Sequence, residues 1–186
     1  MHRIMLPVVA SALILGAAPA RADRDNDDFS AKLSGFEEVG GVGAGQTGAI
    51  LSGGTATLSL ELDRNAQTLS YTLEFSGLST DVAQAHIHFG KRHVGGGVMV
   101  FFCSNLGNGP AGTPACPAGG GTVSGTVNAA GVVGPAAQGV TPGNFDAVIE
   151  ALDSNTAYAN IHTTKFPAGE IRGQIHRGKR DHDHHG

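Results

Sequence analysis

Two histidines two residues apart are the clearest candidates for chemistry in this chain: His86 and His88, in the segment AHIHFG. In an extended strand, side chains alternate between two faces, so both imidazoles leave one face while Ile87 leaves the other. Such a pair can supply two ligands to a copper or zinc ion, or two polar groups to a binding partner. The spacing also fits a structural strand with a solvated face, so it does not decide between these roles.

A third histidine, His162, ends the segment AYANIH and shares one predicted strand face with Tyr158 and Asn160. If this strand lies beside the strand of His86 and His88, cross-strand neighbours stand about 5 Å apart at Cβ and the imidazoles can converge. Three neutral imidazoles suit Cu or Zn and leave a fourth coordination position open. The sequence therefore predicts a candidate metal site.

Other polar side chains are candidates for supporting this site. Asn160, Glu170 and Arg172 are predicted to surround the ligands, and Glu170 or His93 would be an additional ligand. Glu170 and Arg172 lie two residues apart on one predicted strand face. An ion pair at the surface or across the sheet is the alternative interpretation for them.

No catalytic residue is assigned, because the chain carries neither a Gly-x-Ser-x-Gly elbow nor a His-Glu-x-x-His motif. The motifs thus favour a protein that is not an enzyme.

Residues 1–22 have the pattern of an export signal. His2 and Arg3 give a positive start, an apolar run follows from Ile4 to Ala18, and small residues precede a cleavage site after Ala22. The run is shorter than the roughly 20 apolar residues that a spanning helix needs. We expect an exported, periplasmic or extracellular protein with no transmembrane segment.

The charge argues against nucleic acid as a partner. The formal net charge is −4, and loss of the leader would remove Arg3 and Arg21 and make it more negative. No basic patch then remains to neutralise phosphates. The expected partner is an unidentified extracellular or periplasmic ligand.

Cys103 and Cys116 are the only two cysteines of the chain. In an exported protein an even pair indicates a disulfide, here across a loop of turn-forming residues. Ligation of a metal by the two thiolates is the alternative, although neither belongs to a Cys-x-x-Cys pair.

Alternating apolar residues predict short β-strands that share a core. The segments 55–62 and 69–75 form a hairpin pattern, and residues 144–153 are the one helical candidate, behind an Asn144 cap. Short strands separated by glycine turns are typical of an antiparallel sandwich or barrel. The residues expected to share the core are Leu58, Leu60, Leu73, Phe75, Ile87, Val100 and Ile161.

The two ends of the mature chain are polar. Residues 23–28 form an acidic lead and residues 177–186 a His/Asp-rich tail, and both are predicted to be disordered around one domain at 29–176. His182, His184 and His185 of the tail are expected to bind metals adventitiously.

Three segments together resemble the CHRD domain of the animal protein chordin and of many secreted bacterial proteins: LSGFEEV at 33–39, AHIHFG at 85–90, and AYANIHTT with FPAGEIRGQI at 157–175. The last is the most specific. Gly40-Gly41 departs from the family, which has prolines there. A looser similarity to copper-zinc superoxide dismutase covers His86 and His88 alone, without the zinc ligands or the closing glycine-rich signature of that enzyme.

The resemblance implies an all-β, antiparallel, immunoglobulin-like or superoxide-dismutase-like β-sandwich with one short helix. It does not imply an enzyme. We therefore expect an exported binding or matrix module without catalytic activity, and hold as the alternative a copper- or zinc-binding, redox-active protein that uses His86, His88 and His162.

Overall fold

The computed structural model describes residues 26–42, 45–46 and 48–178. Within these ranges the chain forms eleven strands and one α-helix: β1 Asn26–Ser34, β2 Gly41–Val42, β3 Gly45–Gln46, β4 Thr55–Asp63, β5 Thr68–Ser76, β6 Val82–Phe89, β7 Gly97–Ser104, β8 Gly121–Val127, α1 Phe145–Asp153, β9 Ala157–Thr163, β10 Ile171–Gln174 and β11 His176–Arg177. The predicted all-β class with one short helix is confirmed.

The hairpin of β4 and β5 is the most regular part of the fold. Its burial alternates residue by residue, because the odd and even side chains of each strand leave opposite faces. Asp63 accepts a hydrogen bond from the Ala66 backbone N–H at 2.8 Å, which closes the turn between the strands. The predicted hairpin is confirmed.

The larger sheet of the described residues has nine strands, in the order β7-β6-β9-β10-β1-β4-β5-β8, with β11 also pairing with β1. All of its strand pairs are antiparallel. The sheet nearly closes, because the Tyr71 hydroxyl donates to the Phe102 carbonyl at 2.7 Å and Val100 bridges to Val132. The result is a β-sandwich-like shell around one core.

One cluster of buried side chains fills this shell. It contains every residue that the alternation assigned to the core: Leu58, Leu60, Leu73, Phe75, Ile87, Val100 and Ile161. Helix α1 adds Phe145, Val148 and Leu152 to the same cluster, and the Asn144 side chain caps it by accepting from the Ala147 N–H at 3.2 Å. The predicted helix and its cap are confirmed.

The domain extends beyond both predicted boundaries. Strand β1 begins at Asn26, so the last three residues of the predicted disordered lead belong to the sheet. Asp27 is buried and forms salt bridges with Arg64 and with Arg177. Arg177, predicted to be disordered, lies in β11 opposite Phe29. These ion pairs hold the first and last strands of the described residues together.

Residues 1–25 and 179–186 lie outside the described residues, and the predicted leader and most of the predicted tail fall there. In the described part of the chain no helix has the length and apolar character that crossing a membrane requires.

The two cysteines meet at the end of β7. Their sulfur atoms lie at bonding distance and their Cα atoms are 5.0 Å apart. Asn105 also holds this loop, because its side chain donates to the carbonyls of Val82 and Cys116 and accepts from the Cys116 N–H. The cysteine pair and Asn105 together fix the loop against the start of β6.

Candidate metal centre

Strands β6 and β9 are neighbours, which is the condition that the predicted site requires. Ala85 and Ile87 are fully buried in the core, so His86 and His88 leave the opposite face of β6. In the antiparallel register Gln84 stands opposite His162, which therefore lies diagonally beside His86.

The three imidazoles converge. One ligand nitrogen from each of His86, His88 and His162 can be chosen so that all lie within 4.8 Å of one another. The ring centroids are 5.3 Å apart for His86 and His88, 5.0 Å for His86 and His162, and 5.8 Å for His88 and His162. The three residues that the sequence singled out thus form one cluster.

This cluster is buried, not solvated. The exposed fractions are 1% for His86, 7% for His88 and 7% for His162. The connection from β6 to β7 contacts the ring of His88 through Gly96, and the connection from β9 to β10 contacts the ring of His162 through Pro167. Because of this burial, the interpretation of His86 and His88 as a solvated strand face is wrong.

Backbone carbonyls from these two connections fix the tautomers of two histidines. His88 Nδ1 lies 2.9 Å from the Gly96 carbonyl oxygen, and His162 Nδ1 lies 3.0 Å from that of Pro167. A carbonyl oxygen can only accept, so each neutral ring carries its proton on Nδ1 and keeps a lone pair on Nε2. This is the outer hydrogen bond that metal-ligating histidines usually make.

Four ring nitrogens of the cluster are buried and have no hydrogen-bond partner: His88 Nε2, His162 Nε2, and both Nδ1 and Nε2 of His86. Buried polar atoms in native proteins are nearly always paired. Four unpaired atoms in one cluster are therefore an exception that needs a physical explanation.

The enclosure keeps the cluster neutral. Burial lowers the pKa of His86 to about 2, with His162 and His88 contributing in the same direction. Burial also lowers the pKa of His88 to about 4, although the Gly96 hydrogen bond opposes the shift. The pKa of His162 is lowered as well, again mainly by burial. At neutral pH all three imidazoles are uncharged.

Aromatic rings border the cluster. Phe101, across from His86 on β7, meets the imidazole edge to face with the centroids 4.4 Å apart. Tyr158 stacks on His88, and the Arg172 guanidinium carbon lies 3.4 Å from the centroid of the Tyr158 ring. Arg172 is 2% exposed, and its Nη2 donates to the carbonyls of Lys91 and Val94, both at 3.0 Å. Arg172 thus touches a ring that supports His88.

Asn160 connects the cluster to an acidic residue that the sequence did not single out. It is buried opposite His86, and its Nδ2 donates to Glu38 Oε2 at 2.6 Å and to the Ile171 carbonyl at 2.8 Å. Glu38 is 3% exposed, and its Oε1 accepts from the N–H groups of Val39 and Gly40. The only sequence signal for Glu38 was its place in the segment LSGFEEV.

Glu170 lies in a different network. Its carboxylate accepts from the Ser52 hydroxyl at 2.5 Å, the Ser79 N–H at 2.8 Å and the Thr163 hydroxyl at 2.6 Å. None of these donors is a histidine of the cluster. Glu170 and Arg172 are both buried, so the alternative of an ion pair at the surface is wrong for them.

Among the described residues, the other candidate histidine, His93, is not part of the cluster. His93 is 63% exposed and pairs with Glu37, with His93 Nε2 and Glu37 Oε2 3.4 Å apart. His182, His184 and His185 lie outside the described residues.

The comparison with family models decides the relationship that the motifs indicated. The model of the CHRD domain matches residues 29–175. The chain belongs to the CHRD family. The match spans the strands of the CHRD domain that carry His86, His88 and His162. No curated protein and no solved structure matches this CHRD chain.

Proposed function

We propose that this CHRD protein is an exported domain that binds one copper or zinc ion through His86, His88 and His162. The observation that supports this proposal is the set of buried, unpaired nitrogens in the cluster. Two of these atoms are Nε2 lone pairs whose rings are already oriented by carbonyls on the other side.

The energetic argument starts from the cost of the unpaired nitrogens. A buried polar atom without a partner costs about 1–3 kcal/mol. Protonation does not solve the problem, because it places charge in an enclosed site without an acceptor at those nitrogens. A bound cation accepts one lone pair from each ring and so removes the penalty for three of the four nitrogens.

The ligand type favours copper or zinc over other metals. Neutral imidazole suits first-row ions such as Zn(II) and copper, whereas Mg(II) and Ca(II) prefer oxygen ligands. Three protein ligands also leave one position open on the ion. We assign no catalytic residue, and the proposed role is binding.

The proposal of export rests on residues 1–22 and on the cysteine pair. The leader has the three parts of a secretory signal, and an even cysteine pair at bonding distance suits an oxidising compartment. The site would then meet metals outside the reducing cytosol.

A metal-free module that binds another molecule is the second candidate. It is favoured by two large apolar side chains that face solvent, Phe36 at 68% and Leu51 at 90% exposure. Both follow residues joined by a hydrogen bond from the Ile50 N–H to the Gly35 carbonyl, at 2.7 Å. An exposed apolar patch of this kind commonly marks an interaction surface.

Calorimetric titration with Zn(II) and Cu(II) tests the proposal. The chain is used at full length with the three tail histidines replaced by alanine, so that the tail cannot bind the ion. We expect one ion per chain, and at least about tenfold weaker binding after His88→Ala, which corresponds to about 1.4 kcal/mol. His93→Ala is the matched control, because His93 is exposed and outside the cluster, and it should bind as the parent does.

Thermal unfolding of each variant without metal serves as the control that the variant is still folded. Equal binding by the parent and His88→Ala, or no binding by either, would overturn the metal site and leave the second candidate.

A further inference from the structure

We propose that the three-histidine site selects copper in its monovalent state, Cu(I), over Zn(II) and Cu(II). This inference rests on the proposed function and adds the identity and charge of the ion. The geometry points to it through the charge of the ligands, the charge around them, and the surroundings of the fourth coordination position.

The ligands themselves carry no charge. Among the described residues, the histidine, cysteine and acidic side chains that converge at this point are His86, His88 and His162 alone. Each would ligate the ion as a neutral imidazole, because a protonated ring has no lone pair to offer. A divalent ion would therefore keep its full double charge inside the protein, since no carboxylate or thiolate of the cluster offsets it.

The buried charges around the cluster nearly balance one another. Arg172 places a positive charge behind the Tyr158 ring, and Glu38 places a negative charge behind Asn160. The Glu38 carboxylate is also engaged by three N–H donors, from Val39, Gly40 and Asn160. This pair leaves little net negative charge to stabilise a second positive charge on the ion.

Desolvation then discriminates between the ions. The cost of moving an ion out of water grows with the square of its charge, so it is about four times larger for a divalent than for a monovalent ion of similar size. The 1–7% exposure of the three histidines excludes most solvent from the site. Burial without compensating charge thus favours Cu(I).

The surroundings of the open position support the same choice. Phe101 meets His86 edge to face at 4.4 Å, and Tyr158 covers one face of His88. Zn(II) usually completes a tetrahedron, and Cu(II) prefers a tetragonal arrangement with additional ligands. Cu(I) is satisfied by three imidazoles, so it needs no water or hydroxide in this enclosure, which the rings of Phe101 and Tyr158 border.

A competition experiment tests the selection. The full-length chain with the tail histidines replaced by alanine is loaded with Zn(II) and titrated with Cu(I), held reduced by ascorbate without oxygen, with bathocuproine disulfonate reporting free Cu(I). We expect one equivalent of Cu(I) to displace Zn(II) and the affinities to differ at least about a hundredfold, or about 2.8 kcal/mol. After removal of ascorbate and exposure to air, the bound copper should remain silent in electron paramagnetic resonance.

The possible failures are distinguishable. Retention of Zn(II) against equimolar Cu(I), or a Cu(II) resonance signal that grows in air, overturns the selection while leaving the metal site intact. Binding of neither ion overturns the metal site and, with it, this inference.

A matched pair of variants tests the charge argument directly. Phe101 is only partly buried and its ring faces His86, so Phe101→Glu brings a carboxylate to the cluster and Phe101→Gln brings a neutral group of the same shape. We expect the preference for Cu(I) over Zn(II) to fall at least about tenfold in the Glu variant relative to the Gln variant, or about 1.4 kcal/mol. Equal preferences in two folded variants would overturn the argument.

Discussion

The imidazole of His88 stacks on the phenol ring of Tyr158, with the ring centroids 4.8 Å apart and the planes within 4° of parallel. Gly96 fixes both rings, because its carbonyl accepts from His88 Nδ1 and its N–H donates to the Tyr158 hydroxyl at 3.0 Å. Arg172 covers the other face of Tyr158. The orientation of His88 is therefore set before any ion arrives, which reduces the entropy that binding must overcome.

Replacement of His86 should separate stability from function. His86→Leu removes two buried nitrogens that have no partner and substitutes an apolar side chain. We expect the metal-free protein to become more stable by about 1–3 kcal/mol. The increase in melting temperature that added metal gives to the parent should disappear. Thermal unfolding with and without the ion measures both effects, and a less stable metal-free variant would contradict the cost assigned to these nitrogens.

The stability of the metal-free protein should depend on pH through the buried histidines. The folded pKa values are about 2 for His86 and about 4 for His88, and that of His162 is also lowered, against about 6.5 in an unfolded chain. The unfolded chain therefore binds protons that the folded chain does not. The stabilisation is fully present above pH 6.5 and is lost as the pH falls towards 4, approaching about 1.4 kcal/mol per pH unit for each of His86 and His88, with His162 acting in the same direction.

Urea unfolding in the presence of a chelator, between pH 7.5 and 5, measures this dependence. As the pH falls, the stability of the His86→Leu variant should decrease less steeply than that of the parent. The difference in slope should correspond to about one proton fewer taken up on unfolding. Identical slopes for the parent and this variant would show that His86 is protonated in the folded state.

Truncation of Glu170 should affect stability without affecting the metal. Glu170→Ala leaves the Ser79 N–H and the hydroxyls of Ser52 and Thr163 without their acceptor. A buried donor without its partner costs about 1–3 kcal/mol, so we expect a loss of several kcal/mol. Metal affinity, titrated below the lowered melting temperature, should equal that of the parent. A changed affinity would restore Glu170 to the surroundings of the site that the sequence predicted.

The intact mass of the protein purified from culture medium or periplasm should show a chain that begins at or near Asp23 and lacks two hydrogens. The pairing of Cys103 with Cys116 closes a loop that separates them by 13 residues. Closing a loop of this length is worth about 3 kcal/mol in the chain-entropy model. A mass with the leader retained, or with two free thiols, would disprove the corresponding prediction.

The sequence predicts the members of the histidine cluster well because strand periodicity is local. The alternation in AHIHFG places His86 and His88 on one face, and the polar face of AYANIH adds His162. The residues that enclose the three histidines could not be predicted in this way. The carbonyls of Gly96 and Pro167 belong to connections whose path depends on packing, and Glu38 is more than a hundred residues away from Asn160 in the chain.

Glu170 shows where the alternation itself fails. Its backbone N–H donates to the Ile161 carbonyl, while Ile171 is the residue paired with Ile161 in the ladder. Two successive residues thus face one, as in a β-bulge, and the preceding Gly169 has a φ of 130°. The Glu170 carboxylate accepts from the Thr163 hydroxyl, whereas Arg172 lies over the Tyr158 ring, so the two side chains have different partners. This irregularity at Glu170 can be seen only in the pairing of β10 with β9 and not in the sequence of β10.

The position of β1 between β4 and β10 also determines when the domain can be completed. The Ser34–Arg172 pair joins residues that are 138 positions apart in sequence. A chain that leaves the ribosome from its amino end has β1 and β4 early, but receives β10, the other partner of β1, only after β5 to β9. Contacts of such long range slow folding. The sheet can therefore be completed only after β10 has been synthesised.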